Sequence, residues 1–235
     1  IKLPSLPSVG PATDDHHIYI GSLDGSIYSY ELRKIDELYR KRMLPQWSYQ
    51  AMRWRYRTGK EITTRAYSNG VVVIFASRDG SLYAVEVAER LLKWQFETNT
   101  PITAPLAITE DALVAASENY YVYCLDRRNG LVRWEFASGF PIRKAPIVIS
   151  EDLYILPDHG GLFNLTVRSG AEKWERAGIS DLLAATKSRL FCSDETGNIV
   201  LLQRSTGRLL GSLPLRPFSV RLENDRTDRL FLATP

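Results

Sequence analysis

The chain has 235 residues, 44% of them hydrophobic and 11% aromatic, which is enough apolar matter for a sizeable core and too much for wholesale disorder. Thirty basic against 27 acidic residues leave a net charge of +3, which excludes a protein that wraps nucleic acid by neutralising its phosphates and confines any basic function to a local patch. Two cysteines exclude a disulfide framework or a CxxC metal knuckle, and no apolar run reaches the ~18 residues of a membrane-crossing helix.

The opening IKLPSLP reads as an isolated outer strand of a preceding unit, and without an initiator Met it carries no message about a signal peptide. A first repeating unit covers about 8–57 and differs from those after it by a long insertion. Over 31–46, ELRKIDELYRKRMLPQ places Leu32, Ile35, Tyr39 and Met43 at helical spacing, which predicts an amphipathic helix ending before Pro45. The stripe is expected to pack on a sheet edge and to leave Arg33, Lys34, Arg40, Lys41 and Arg42 in water. Arg53, Arg55 and Arg57 follow on one face of the next strand. Residues 33–60 carry nine basic and two acidic side chains, so this insertion could dock an acidic partner or an anionic membrane surface, or only keep the helix soluble.

Further units follow at about 62–98, 102–138, 142–176 and 179–213, and a partial one at 217–235. Trp54, Trp94, Trp134 and Trp174 are 40 residues apart each time, and a 40-residue shift also lays TPITAPLAITEDALVAAS (100–117) over FPIRKAPIVISEDLYILP (140–157). The clearest unit splits into ITAPLAIT, LVAAS, YYVYCLD and LVRWEFA, four short runs rich in β-branched and aromatic residues. Asp24-Gly25 and Asp79-Gly80 supply the tight turn between the second and third runs. Four antiparallel strands per 40 residues make one blade, so the fold class is an all-β propeller with five recognisable blades and part of a sixth. In CLDRRNGLVRW (124–134), Asp126 can accept backbone hydrogen bonds, Gly130 permits the reversal and Trp134 fills the gap between blades.

That stretch resembles the repeats of the PQQ-like (quinoprotein alcohol dehydrogenase-like) β-propeller family. Their tryptophan-docking motif reads Ala, any, Asp, three of any, Gly, three of any, Trp, with Cys124 here replacing Ala. AVEVAERLLKW keeps Ala84 and Trp94 with Glu86 as the acid and Arg90 for Gly, NLTVRSGAEKW keeps Gly170 and Trp174, and LLQRSTGRLLG keeps Gly207. WD40 repeats are disfavoured by the lack of any Trp-Asp pair. Either the two termini meet to complete a blade or the chain is a segment of a larger propeller, and the resemblance, which implies about seven or eight blades, favours the segment. It also implies a periplasmic, envelope-associated or secreted location. Enzymes of the family hold their quinone between an adjacent-cysteine disulfide and a Trp, with Ca²⁺ beside it. This chain has no adjacent cysteines, so no catalytic, cofactor-binding or metal-binding residue is assigned.

The histidines suggest no site: His16-His17 reads as a polar strand entrance, and Asp158-His159 as a turn in the Asp-Gly hairpin slot, the acid/base pair being the alternative. Positions following the Ile102 equivalents (Val9, Thr63, Thr103, Arg143, Ser180, Ser219) suit a wet central channel. Arg65, Arg143, Lys144, Arg216 and Arg221 are expected near its rim, where a positive mouth could draw an acidic peptide, or where the charges are merely solvated. Tyr120-Tyr121 stands at a hairpin tip as an interface anchor or packs on the neighbouring loop. These features predict a noncatalytic scaffold for a protein partner, acidic by charge, contacted through Arg40, Arg42, Arg55, Arg65, Tyr120, Tyr121, Arg143, Lys144 and Arg221. The basic insertion adds a peripheral membrane contact. The alternative is a quinone-dependent oxidoreductase or hydrolase with its site in the channel mouth, or a supporting segment of one.

Overall fold

A computed structural model of the protein describes residues 2–214 and the backbone of 220–222 and 231–233. The first sheet holds β1 (Ala12–Thr13), β2 (His17–Gly21), β3 (Ser26–Glu31) and β4 (Met52–Arg57), with helix α1 (Leu32–Arg40) and a 3₁₀ turn (Ser48–Ala51) between β3 and β4. The second holds β5 (Tyr67–Ser68), β6 (Val72–Ala76), β7 (Ser81–Glu86) and β8 (Leu92–Glu97). The third holds β9 (Ala107–Ile108), β10 (Ala112–Ala116), β11 (Tyr121–Asp126) and β12 (Val132–Ala137). The fourth is β13 (Ile147–Ile149), β14 (Asp152–Ile155), β15 (Leu162–Thr166) and β16 (Glu172–Arg176), and the fifth is β17 (Ile179–Ala185), β18 (Arg189–Asp194), β19 (Ile199–Gln203) and β20 (Leu209–Leu213). Each sheet is antiparallel and runs in sequence order, so each is one blade of a β-propeller, and β21 (Val220–Leu222) pairs with β22 (Phe231–Ala233) in a further two-stranded sheet.

Sequence pattern decides a strand's place in its blade. The second and third strands are buried on both faces and read as near-continuous apolar runs, VVIFA in β6 and ALVAA in β10. The fourth strands alternate: in β4 only Trp54 is buried, while Arg53, Arg55 and Arg57 face water. Every third-to-fourth pairing carries a register shift at one equivalent position, as between Ala84 and Val85 or Cys124 and Leu125, and such bulges add twist to the outer strand.

The core lies in the seams between blades. Val73, Phe75 and Val85 pack against Tyr19, Ile27 and Trp54 of the first blade, whereas Ile74, Ala84 and Trp94 pack against Leu113, Ala115 and Leu125 of the third. The same alternation joins the third blade to the fourth and the fourth to the fifth. On the first blade's other face, Ile20, Tyr28 and Tyr30 are covered by Leu38 and Ala51, with Ile35, Met43, Leu44 and Leu3 around them.

Two expectations are corrected here. The insertion packs on the flat of the blade through Leu38, and Tyr39 is 72% exposed, because Ile35 and Leu38, three residues apart, share the face turned to the blade, and the helix ends before Met43 can continue a stripe through Tyr39. The helix ends at Arg40, ahead of the proline as the spacing predicts. Arg42 takes a left-handed φ of 56°, and the N–H groups of Arg42 and Met43 donate to Tyr39 O (2.9 Å) and Leu38 O (2.9 Å), closing a Schellman turn. The opening residues form no outer strand among the described residues: Pro7 bridges Ser22 and Leu6 O accepts from Leu23 N, so they extend the innermost strand of the first blade.

Candidate functional site

The tryptophans join each blade to the one that follows. Indole Nε1–H groups of Trp54, Trp94, Trp134 and Trp174 donate to Val87 O (2.8 Å), Arg127 O (3.2 Å), Val167 O (2.9 Å) and Arg204 O (3.0 Å), all in the third-to-fourth turn of the next blade. A Cβ on Gly130, Gly170 or Gly207 would stand 2.6 Å from the ring of Trp94, Trp134 or Trp174 respectively. Gly130 also has φ +73° and donates to Asp126 O at 2.8 Å, so the turn requires glycine for conformation and for space. In the second blade Arg90 holds the equivalent backbone at φ +58° and still donates to Glu86 O. Asp126 accepts from Arg128 N (2.9 Å) and from Arg133 (2.6 Å), whose guanidinium also reaches Asp111 (2.6 Å) and holds both carboxyls below their ordinary range.

The constellation of a quinone enzyme does not fit these residues. Cys124 and Cys192 lie in different blades, buried, and burial pushes their thiols up to about 11 and about 12. Among the described residues no three His, Cys, Asp or Glu side chains converge as metal ligands. His159 faces the edge of Phe140, while Asp158 is taken by Arg143, so the two are not arranged as an acid/base pair. The His16 and His17 N–H groups cap Asp14 at 2.9 and 2.8 Å. Burial would raise Asp14, but Ser68, Tyr19 and those backbone donors outweigh it and bring the carboxyl down to about 2.

Topology divides the expected partner residues between two surfaces. Each third strand runs from the second-to-third hairpin toward the third-to-fourth turn, so Tyr120, Tyr121, Arg143 and Lys144 lie at the hairpin end, whereas Arg40 and Arg42 leave from the opposite end of β3. Among the described residues the hairpin end carries charges of both signs. Arg143 pairs with Asp158 and stands 3.6 Å from Glu118, Lys144 donates to Ser180 O, and Arg78 meets Glu61 at 2.6 Å. A cavity of about 330 Å³ between blades four and five has walls of both signs, Lys144 opposite Asp158 and Glu195. Arg65 is exposed with no carboxylate in ion-pair range among the described residues. Arg55, although exposed, is paired within its own blade, donating to Ser26 Oγ (2.7 Å) and Asp24 (3.1 Å) and lying 5.6 Å over the Tyr28 ring. Arg40 pairs with Asp36 at 2.8 Å. The Arg221 side chain, Arg216, Pro217 and Ser219 lie outside the described residues.

Tyr120 departs most from its counterparts. Its φ is +73°, at the hairpin position where the other blades place Gly25, Gly80, Gly161 and Gly197 with φ between +78° and +91°. An aromatic residue in this region is an outlier. Its ring is 49% exposed, Tyr121 beside it stacks on Tyr123, and Phe140, 42% exposed, joins it through Ser138, whose hydroxyl lies 2.9 Å from Tyr120 O and 2.8 Å from Phe140 O. Phe140 was not singled out from sequence. Nor were the hydrogen bonds joining each hairpin acid or amide to the tyrosine four residues on: Tyr28 to Asp24, Tyr83 to Asp79, and Asn119 to Tyr123. DGSIY, DGSLY and NYYVY carry that spacing openly.

Among known proteins, the family described as outer membrane protein assembly factor BamB matches residues 78–233. BamB of Moraxella catarrhalis superposes with a TM-score of 0.68 at 18% identity, over 88% of this chain and 62% of that one. The computationally designed Ika8 protein gives 0.67 at 15% identity, covering 92% and 64%. Quinohemoprotein alcohol dehydrogenase from Comamonas testosteroni gives 0.67 at 12% identity, covering 97% and 46%. The chain therefore spans less than two thirds of each of these proteins, and at such identities the likeness is one of fold. No curated protein sequence matches it.

Proposed function

Because the chain belongs to the family of the outer membrane protein assembly factor BamB, we propose that it is a noncatalytic scaffold that presents the hairpin end of its third and fourth blades to a protein partner. The observation that carries this reading is Tyr120, an exposed aromatic held in left-handed backbone where every other described hairpin has glycine. Such strain persists where the surroundings over-determine it and a function retains it. Tyr121, next in the chain, and Phe140, linked through the Ser138 hydroxyl, expose further aromatic surface at the same end, and Arg143, Glu118 and Asp158 supply charges of both signs, the composition of a protein interface. The paired rim charges select no single sign in the partner, so its acidity would have to be read elsewhere on the molecule. The oxidoreductase alternative draws support from the fold of the Comamonas enzyme and none from the cysteines or carboxylates described above.

A photo-crosslinking amino acid placed at Tyr121, and in parallel at Glu135 on the outer strand, tests the proposal in the native host. A discrete adduct from position 121 that is missing from position 135 is the expected result. Adducts only from position 135, or none from either position, would overturn it.

A further inference from the structure

From Leu38 to Lys60 the sequence contains seven Lys and Arg residues and not one Asp or Glu. The structure fixes the first half of this stretch firmly. Leu38 and Ala51 are buried on the first blade, and the Schellman turn at Arg42 closes the helix. What remains outside is Tyr39 (72% exposed), Trp47 (42%) and Tyr49 (57%), with the last two rings 6.0 Å apart, and the cations Arg40, Lys41 and Arg42. Ser48 exchanges hydrogen bonds of 3.0 and 2.9 Å with the backbone of Lys2, which brings a further exposed lysine to the same place. Lys41 and Arg42 have no carboxylate within ion-pair distance among the described residues, whereas Arg143 at the hairpin end is neutralised.

We propose that this insertion, carried on the face of the first blade, is a docking surface for an anionic lipid bilayer, distinct from the hairpin end of the third and fourth blades proposed above for a protein partner. Charge of one sign beside the aromatics decides the occupant. Trp and Tyr each carry an apolar body with a polar tip, the composition that settles at the headgroup level of a bilayer, and unpaired Lys and Arg beside them are drawn to a negative surface potential. A protein interface pairs its aromatics with charges of both signs, as Arg143, Glu118 and Asp158 do at the hairpin end, whereas Lys41 and Arg42 stand beside their rings without a counter-charge among the described residues, as a uniformly anionic bilayer requires. A rigid, preformed patch loses little conformational entropy on docking, unlike a helix that must fold on the membrane.

Vesicle co-sedimentation of the whole chain tests this, using phosphatidylcholine alone and phosphatidylcholine mixed with phosphatidylglycerol. Binding is expected only to the anionic vesicles and should weaken as salt rises. Each basic residue near the surface contributes roughly fivefold, so the combined Arg40→Ala, Lys41→Ala and Arg42→Ala variant should bind ~100-fold more weakly. A blue shift of tryptophan fluorescence on vesicle addition should disappear in Trp47→Phe, which keeps the fold because the ring is exposed. Equal partition to neutral vesicles, or no partition to either, would overturn the proposal, as would capture of the chain by immobilised polyglutamate without any anionic-vesicle binding. That result would leave the hairpin-end proposal standing, since Tyr121 crosslinking does not depend on lipid.

Discussion

Trp94 lies so close over Gly130 that a single added methyl would stand 2.6 Å from the indole, although the two residues belong to different blades. The same contact recurs between Trp134 and Gly170 and between Trp174 and Gly207, so the 40-residue spacing of the indoles is set by a relationship across seams. Gly130→Ala combines left-handed strain with overpacking against a buried ring, and should destabilise the protein by about 2–4 kcal/mol. Urea unfolding followed by far-ultraviolet circular dichroism measures this, and a midpoint unchanged from wild type would show the seam to be compliant.

Arg90 occupies the equivalent turn of the second blade at φ +58°. Its guanidinium reaches only Arg55 O, at 3.4 Å, so little is lost with the side chain. Arg90→Gly should therefore stabilise the fold by about 0.5–1 kcal/mol, relief of left-handed strain exceeding the extra freedom of glycine in the unfolded chain. A raised urea midpoint is the expected result, and a lowered one would mean that the arginine packs more usefully than its contacts indicate.

Sequence made the repeat legible because the blade's cohesion depends on large, rare residues at fixed spacing: four indoles, three turn glycines and the hairpin Asp-Gly pairs. It did not reveal that Trp134 seats on Gly170 rather than on its own turn, since a period does not say in which direction a wedge points. The pairing of charges at the hairpin end escaped it for a similar reason. Arg143 is neutralised by Glu118 and Asp158, 25 and 15 residues distant, and only the curvature of the blades brings them together. In the insertion, Leu38 rather than Tyr39 faces the blade because the helix ends at Arg40 and Met43 reaches the core from beyond the Schellman turn, so the helical spacing of Ile35, Tyr39 and Met43 is not realised.

Burial raises both thiols, to about 11 for Cys124 and about 12 for Cys192, so neither forms appreciable thiolate at pH 8. Ellman's reagent should leave the native protein unmodified at that pH and modify two thiols per chain in guanidinium. Rapid labelling of one cysteine without denaturant would indicate local opening of its seam.

Asp14 ties the first blade to the second through Ser68 Oγ at 2.7 Å and is nearly buried. Its carboxyl titrates at about 2 in the folded protein, below an unfolded value near 3.9. A depressed carboxylate contributes its stability above the unfolded value and loses it as pH falls through the folded one, here between about pH 4 and pH 2. The contribution is about 2 kcal/mol. Asp14→Asn should lower stability at pH 7 and flatten the acid limb of the pH profile, while Ser68→Ala should shift that limb upward in pH. A mutant acid limb that superposes on wild type would remove Asp14 from the account.

Tyr120→Gly separates stability from function at the hairpin end. Every other described blade accommodates positive φ with glycine there, and the tyrosine ring is half in water, so removing it sacrifices little packing. Relief of the left-handed backbone should raise stability by about 0.5–1 kcal/mol, read as a higher urea midpoint. The same substitution removes the exposed ring proposed as the anchor, so the adduct formed from a crosslinker at position 121 should fall at least tenfold. Greater stability with weaker capture is what a strained, functionally retained residue produces. Greater stability with undiminished capture would mean that Tyr121 and Phe140 hold the partner without it, and lower stability would mean that the ring at position 120 is part of the fold's packing.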